Sequence, residues 1–161
     1  MHDVLYALAV LAAGGSSGSA TSPESPVHVV ASCPSGPVVG RVPGSLVVGP
    51  VAHRASLFFS FVAAGSPVAV RSHAVEAFEM ESTSVDAGDV RRVTTRFDTS
   101  AGALTLVCQY GTALYPAPGT SMVLVPMPER TEGECVVESD LRRRNSKSRR
   151  SMTSVCIGAA R

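Results

Sequence analysis

The sequence predicts an all-β chain: a small antiparallel sandwich or open barrel braced by two disulfides, or an α+β variant if residues 73–81 form one short helix. Three observations predict it. Short β-branched and apolar runs recur between turn residues, with 14 Gly and 11 Pro spread along the 161 residues. No stretch keeps an apolar period of 3.6 over three turns. The four cysteines, Cys33, Cys108, Cys135 and Cys156, are even in number and lack a Cys-x-x-Cys spacing. A hydrophobic share of 45% and a charged share of 17% suit one globular domain, and the length leaves no comfortable room for two.

The N-terminus reads as a secretory signal over residues 1–20. Val4 to Ala13 is a ten-residue apolar run, the length of a signal core and too short to span a bilayer. Gly18 and Ala20 place small residues before a cut at Thr21, although His2 and Asp3 stand where a basic residue is expected. No Cys follows the apolar run to carry a lipid anchor. Residues 21–26 form a Pro/Ser leader, and residues 27–161 form the single β-rich domain.

The domain opens on the β-branched run Val27–Ala31. Leu46–Val48 is a short strand ended by Gly49-Pro50. Ser56–Ala63 is the most apolar internal run and reads as a buried strand closed by Gly65-Ser66-Pro67, with Val68–Val70 as the return strand of a hairpin. Val75–Met80 fits either a strand or one helical turn. In Val90–Phe97, Val93, Thr95 and Phe97 alternate with Arg92, Thr94 and Arg96, as in a half-buried strand. Asp98–Gly102 is turn chemistry, and Ala103–Tyr110 puts Leu104, Leu106, Cys108 and Tyr110 on one face, so these two runs read as a hairpin. Ser121–Val125, Glu134–Glu138 and Met152–Ile157 are the last strands, with a polar basic loop, Asp140–Ser151, between the final two.

Register predicts the disulfides. If the last two strands are antiparallel about a loop centred between Asn145 and Ser146, Cys135 lies directly across from Cys156. Cys33 is then left for Cys108, with Val27–Ala31 lying beside Ala103–Tyr110 as an edge strand. Two structural disulfides imply an oxidising compartment, periplasmic or extracellular. Metal ligation is not expected, because zinc ligands usually come in close pairs and His28, His53 and His73 do not pair with the cysteines at such spacing.

The motifs exclude more than they assign. Gly14-x-Ser16-x-Gly18 matches a nucleophile elbow but lies in the signal region, without the strand and helix that strain the serine. No Ser, His and Asp of the domain share a recognisable local context. Glu76, Glu79 and Glu81 read as a solvated acidic face. Arg142, Arg143, Arg144, Lys147, Arg149 and Arg150 crowd six positive charges into nine residues, a solvated loop or a partner-binding one. The loop has no interleaved aromatics and the chain's net charge is only +1, so nucleic acid is not the expected partner. No phosphate loop, cofactor motif or membrane-spanning run is present.

Cys33-Pro34, the run Leu57-Phe58-Phe59-Ser60-Phe61-Val62 before Gly65-Ser66-Pro67, Cys108-Gln109-Tyr110 with Thr112, Val125-Pro126, Cys135 and the closing Cys156 follow one another in an order that resembles an uncharacterised family of small secreted proteobacterial proteins, known by an enterobacterial locus tag. The similarity covers about residues 28–157; this chain lacks Trp and adds the basic loop. The resemblance implies a periplasmic or secreted β-rich domain with two disulfides, and for some relatives an immunity role beside type VI secretion loci. The expected function is a non-enzymatic binding protein, an immunity or inhibitor protein against an envelope-targeting toxin. A small envelope hydrolase and a structural envelope component are the alternatives.

Overall fold

A computed structural model describes residues 26–35, 42–50, 55–72, 81–141 and 152–160. The signal, most of the leader, the 73–80 segment with Glu76 and Glu79, and the basic residues Arg142–Arg150 lie outside the described residues. Nine strands are described: β1 (His28–Ser32), β2 (Leu46–Val48), β3 (Leu57–Ala64), β4 (Ser82–Ala87), β5 (Val90–Asp98), β6 (Leu104–Tyr110), β7 (Ser121–Pro126), β8 (Thr131–Asp140) and β9 (Met152–Ala160). They form two antiparallel sheets, one of five strands in the order β1-β9-β8-β5-β4 and one of four in the order β2-β7-β6-β3. The sheets do not close into a barrel.

The main core lies between the sheets. Leu104, Leu106, Cys108 and Tyr110 share one face of β6, as the alternation predicts, and pack with Val123 and Val125 of β7 against Phe97, Cys135 and Cys156 of the opposite sheet. The other face of the four-stranded sheet is covered too. Val107, Met122 and Leu124 pack there with Ala63 and with Val70 of a short helix, α1 (Pro67–Ser72). Burial on both faces explains why every residue of β6 is buried, polar ones included. Those polar residues have partners: the Thr105 hydroxyl donates to the Gly65 carbonyl at 2.7 Å, and the Gln109 amide oxygen accepts from the Tyr115 N–H at 3.2 Å.

Three expectations are corrected. Val68–Val70 is helix, not a return strand: Pro67 occupies the first turn, where its fixed φ suits a helix and its missing N–H costs nothing, and the Ser66 hydroxyl accepts from the Ala69 N–H at 3.4 Å. Val90–Phe97 and Ala103–Tyr110 are not a hairpin. β5 pairs with β4 and β8, whereas β6 pairs with β3 and β7, so the turn between them crosses from one sheet to the other. The crossing is fixed by a 3₁₀ turn at Thr99–Ala101, whose buried Thr99 hydroxyl accepts from the Thr131 N–H at 2.8 Å and donates to the Pro128 carbonyl at 2.9 Å. Finally, β1 pairs with β9 and not with Ala103–Tyr110.

Both disulfides form as the register argument requires. Cys135 is directly opposite Cys156 within the five-stranded sheet, with Cα atoms 3.9 Å apart. Cys33–Cys108 ties the end of β1 to β6 and so joins the two sheets, with Cα atoms 5.6 Å apart. The Tyr110 hydroxyl donates to the Pro34 carbonyl at 2.6 Å beside this bridge, and burial raises its pKa above the ordinary phenol value. Tyr110→Phe leaves that carbonyl without its donor and is expected to lower stability by about 1–3 kcal/mol. Urea unfolding should show a lower midpoint at an unchanged slope. An unchanged midpoint would mean that the bond adds nothing.

Candidate functional site

A cleft between the two sheets has the make-up of a ligand site. The inner faces of the two sheets bound a partly open cavity of about 390 Å³, which Ser82 of the edge strand β4 also lines. Burial deepens along it: Ser82 at the edge is exposed, Val93, Thr95 and Val137 are half-buried, and Ser60 and Ser154 are 6% and 1% exposed. The volume falls within the roughly 300–1,000 Å³ typical of small-molecule sites.

Strand alternation builds the walls. Ser60 and Val62 point inward from β3, and Leu106 from the neighbouring β6, because Ser60 is opposite Cys108 and Val62 opposite Leu106. Val137 and Ser154 are opposite one another on β8 and β9 and point inward from the other sheet, as Val93 does on β5. At the mouth, the Ser82 and Thr95 hydroxyls hydrogen-bond each other at 2.9 Å. Deeper in, the Ser60 and Ser154 hydroxyls have no hydrogen-bond partner among the described residues. Buried hydroxyls in native proteins are almost always paired, so two facing one cavity are unusual. The walls carry aliphatic side chains, the Phe59 and Phe61 residues, hydroxyls and Cys135 of the Cys135–Cys156 bridge, and no described side chain lining them is titratable.

No family model, curated protein or solved structure matches the chain.

The other candidates from sequence do not converge on the cleft. All four cysteines are consumed in bridges. Among the described residues no group of three or more His, Cys, Asp or Glu side chains is placed to hold a metal. His28 is exposed on β1, and its Nδ1 lies 3.2 Å from the Pro26 carbonyl; His53 and His73 lie outside the described residues. Asp86 is held in a two-pronged pair with Arg91, at 2.8 and 3.0 Å, whose hydrogen bonds lower its pKa below the ordinary carboxylate value. An exposed, paired carboxylate of this kind is a poor general base. Glu81 borders a second, shallower hollow of about 560 Å³ with Asp98, Glu132, Glu134 and Arg96. Arg96 pairs with Glu134 across the strands at 3.4 Å, and Arg92 with Glu138 at 2.6 Å, so this side of the five-stranded sheet presents mixed charge to solvent. Such exposed pairs add little stability.

Sequence reasoning does not find Ser60 or Ser154. Serine is common in this chain, and only the pairing of strands shows that these two face one cavity. Two bridged cysteine pairs fit a non-cytoplasmic compartment. Among the described residues no helix is long and apolar enough to cross a membrane.

Proposed function

We propose that the chain is an exported binding domain, periplasmic or secreted, that acts without catalytic chemistry of its own. The make-up of the cleft wall carries this reading. Nucleophilic and acid–base catalysis need an ionisable group poised at the substrate, and the described walls offer aliphatic and aromatic side chains and neutral hydroxyls instead. The disulfides support an oxidising compartment, and the apolar run Val4–Ala13 before Thr21 supports export. The family resemblance supplies the physiological form: an immunity or inhibitor protein whose partner is a toxin that attacks the cell envelope.

Sequencing the N-terminus of the exported protein tests the first half, with a mature chain expected to begin near Thr21; an intact Met1 on a cytoplasmic protein overturns export. For the second half, the purified oxidised chain is incubated with peptidoglycan and with ester and amide substrates. No turnover above the buffer rate is expected. Turnover that disappears in Ser60→Ala or Ser154→Ala would make the chain an enzyme. The immunity role requires a peptidoglycan-attacking toxin encoded by a neighbouring gene, and expression of this chain in the envelope is expected to restore growth to cells exposed to that toxin. Unrestored growth removes that role.

A further inference from the structure

We propose that the inter-sheet cleft binds a small uncharged amphiphile, an apolar chain with one neutral hydrogen-bonding head, whose head lies between the Ser60 and Ser154 hydroxyls. The proposal rests on the reading of the chain as a binding domain and gives that domain its ligand class.

The two hydroxyls come from opposite sheets, Ser60 from β3 and Ser154 from β9, and these strands pack against each other across the core. Each is more than nine-tenths buried, lines the cleft and lacks a partner among the described residues. A hydroxyl offers one donor and two acceptor positions. An alcohol head satisfies both serines at once, by donating to one and accepting from the other; an ester or ketone oxygen accepts from both. A charged head fits badly. No Lys, Arg or His lines the described walls to balance a carboxylate, and no Asp or Glu lines them to balance an amine. Burying an unpaired ion costs far more than two hydrogen bonds return.

The rest of the cleft selects the tail. Val62, Leu106, Val93 and Val137 give it aliphatic walls, Phe59 and Phe61 add aromatic residues, and Met152 adds an unbranched side chain that adapts to irregular shapes.

Isothermal titration of the purified, oxidised chain with 1-decanol and with decanoate tests the proposal. Saturable binding of one decanol per chain is expected, with decanoate at least about tenfold weaker. Ser60→Ala and Ser154→Ala are each expected to weaken decanol by about three- to tenfold, the effect of one hydrogen bond. The same substitutions should raise the melting temperature of the ligand-free chain, because each deletes a buried hydroxyl that lacks a partner. That opposed pair of effects is one that general loss of structure cannot mimic. Val137→Phe, which narrows the cleft and leaves both serines, is expected to abolish binding; should it fail to fold, the serine variants carry the test alone. No decanol binding, decanol binding by both serine variants as tight as by the unaltered chain, or decanoate binding as tight as decanol overturns the proposal. The readout does not depend on turnover. A failed titration therefore leaves the protein-partner role standing, and an enzymatic activity would not mimic a failed titration.

Discussion

Replacing Cys33 and Cys108 together by alanine is expected to lower stability by about 4 kcal/mol, the largest loss from removing either bridge. Cys33 and Cys108 are 75 residues apart and Cys135 and Cys156 only 21. In the chain-entropy model the bridge that closes the longer loop removes more freedom from the unfolded chain, and the shorter loop is worth about 3 kcal/mol. Location points the same way. Cys33–Cys108 is a covalent tie between the two sheets, whereas Cys135–Cys156 joins strands already held by a continuous ladder. Since domains of this size keep only about 5–15 kcal/mol in total, the first variant loses roughly a quarter or more of its stability. Denaturant unfolding of the two double-alanine variants decides the order. A larger loss from the Cys135/Cys156 variant would refute the loop-length account.

Gly133→Ala is expected to cost about 3 kcal/mol or more, a large effect for adding one methyl group. Gly133 on β8 faces Gly158 on β9, and Phe97 on β5 is its partner on the other side. A Cβ at Gly133 would lie 2.0 Å from the Ile157 carbonyl oxygen and 2.6 Å from the Gly158 Cα, both backbone atoms that cannot swing aside. The Phe97 ring, 4% exposed, reaches to within 3.2 Å of where a Cβ on Gly158 would stand, so an aromatic ring covers the glycine pair. Gly88 is the control. It sits at φ +62° in the two-residue turn between β4 and β5, with nothing within 4 Å of an added Cβ. Gly88→Asn, which tolerates that φ, should change stability by no more than about 0.5 kcal/mol. Thermal unfolding of the two variants checks the contrast, and equal effects would mean that the β8–β9 ladder relaxes around the new methyl.

The disulfides show how much of this fold the sequence carries. Antiparallel pairing is symmetric about its loop, so the positions of Cys135 and Cys156 around a centre at Asn145 and Ser146 were enough to pair them. The alternation of Arg92 to Phe97 and of Leu104 to Tyr110 likewise identifies the inner faces, because side-chain period is a local property. Pairing partners are not local. Asp98–Gly102 has the composition of a hairpin turn, yet Thr99 buries its hydroxyl against Pro128 and Thr131, residues far along the chain, and turns a hairpin into a crossing between sheets. β4 escapes a periodicity search for the opposite reason: all six of its residues are exposed, so no apolar face marks it. The Gly88-Asp89 pair is the signal that finds its hairpin with β5. Ser66-Pro67 is the corresponding signal for α1, and it outweighs the β-branched Val68 and Val70. The cleft was the least legible, since it exists only where β3 and β9 meet across the core, and no local pattern encodes a gap between sheets.

The place of β9 has a consequence for the order of events in the cell. This strand fills the gap between β1 and β8, with Ile157 opposite both Val29 and Glu134. The first described strand therefore finds its neighbour only in the last, and the five-stranded sheet stays in two pieces until residue 160 has been synthesised. Pairings this distant in sequence form slowly, because the loop must close before any contact rewards it. A chain still held by the ribosome can pair β4, β5 and β8 and the strands of the other sheet, but it cannot seat β1 until its last strand emerges.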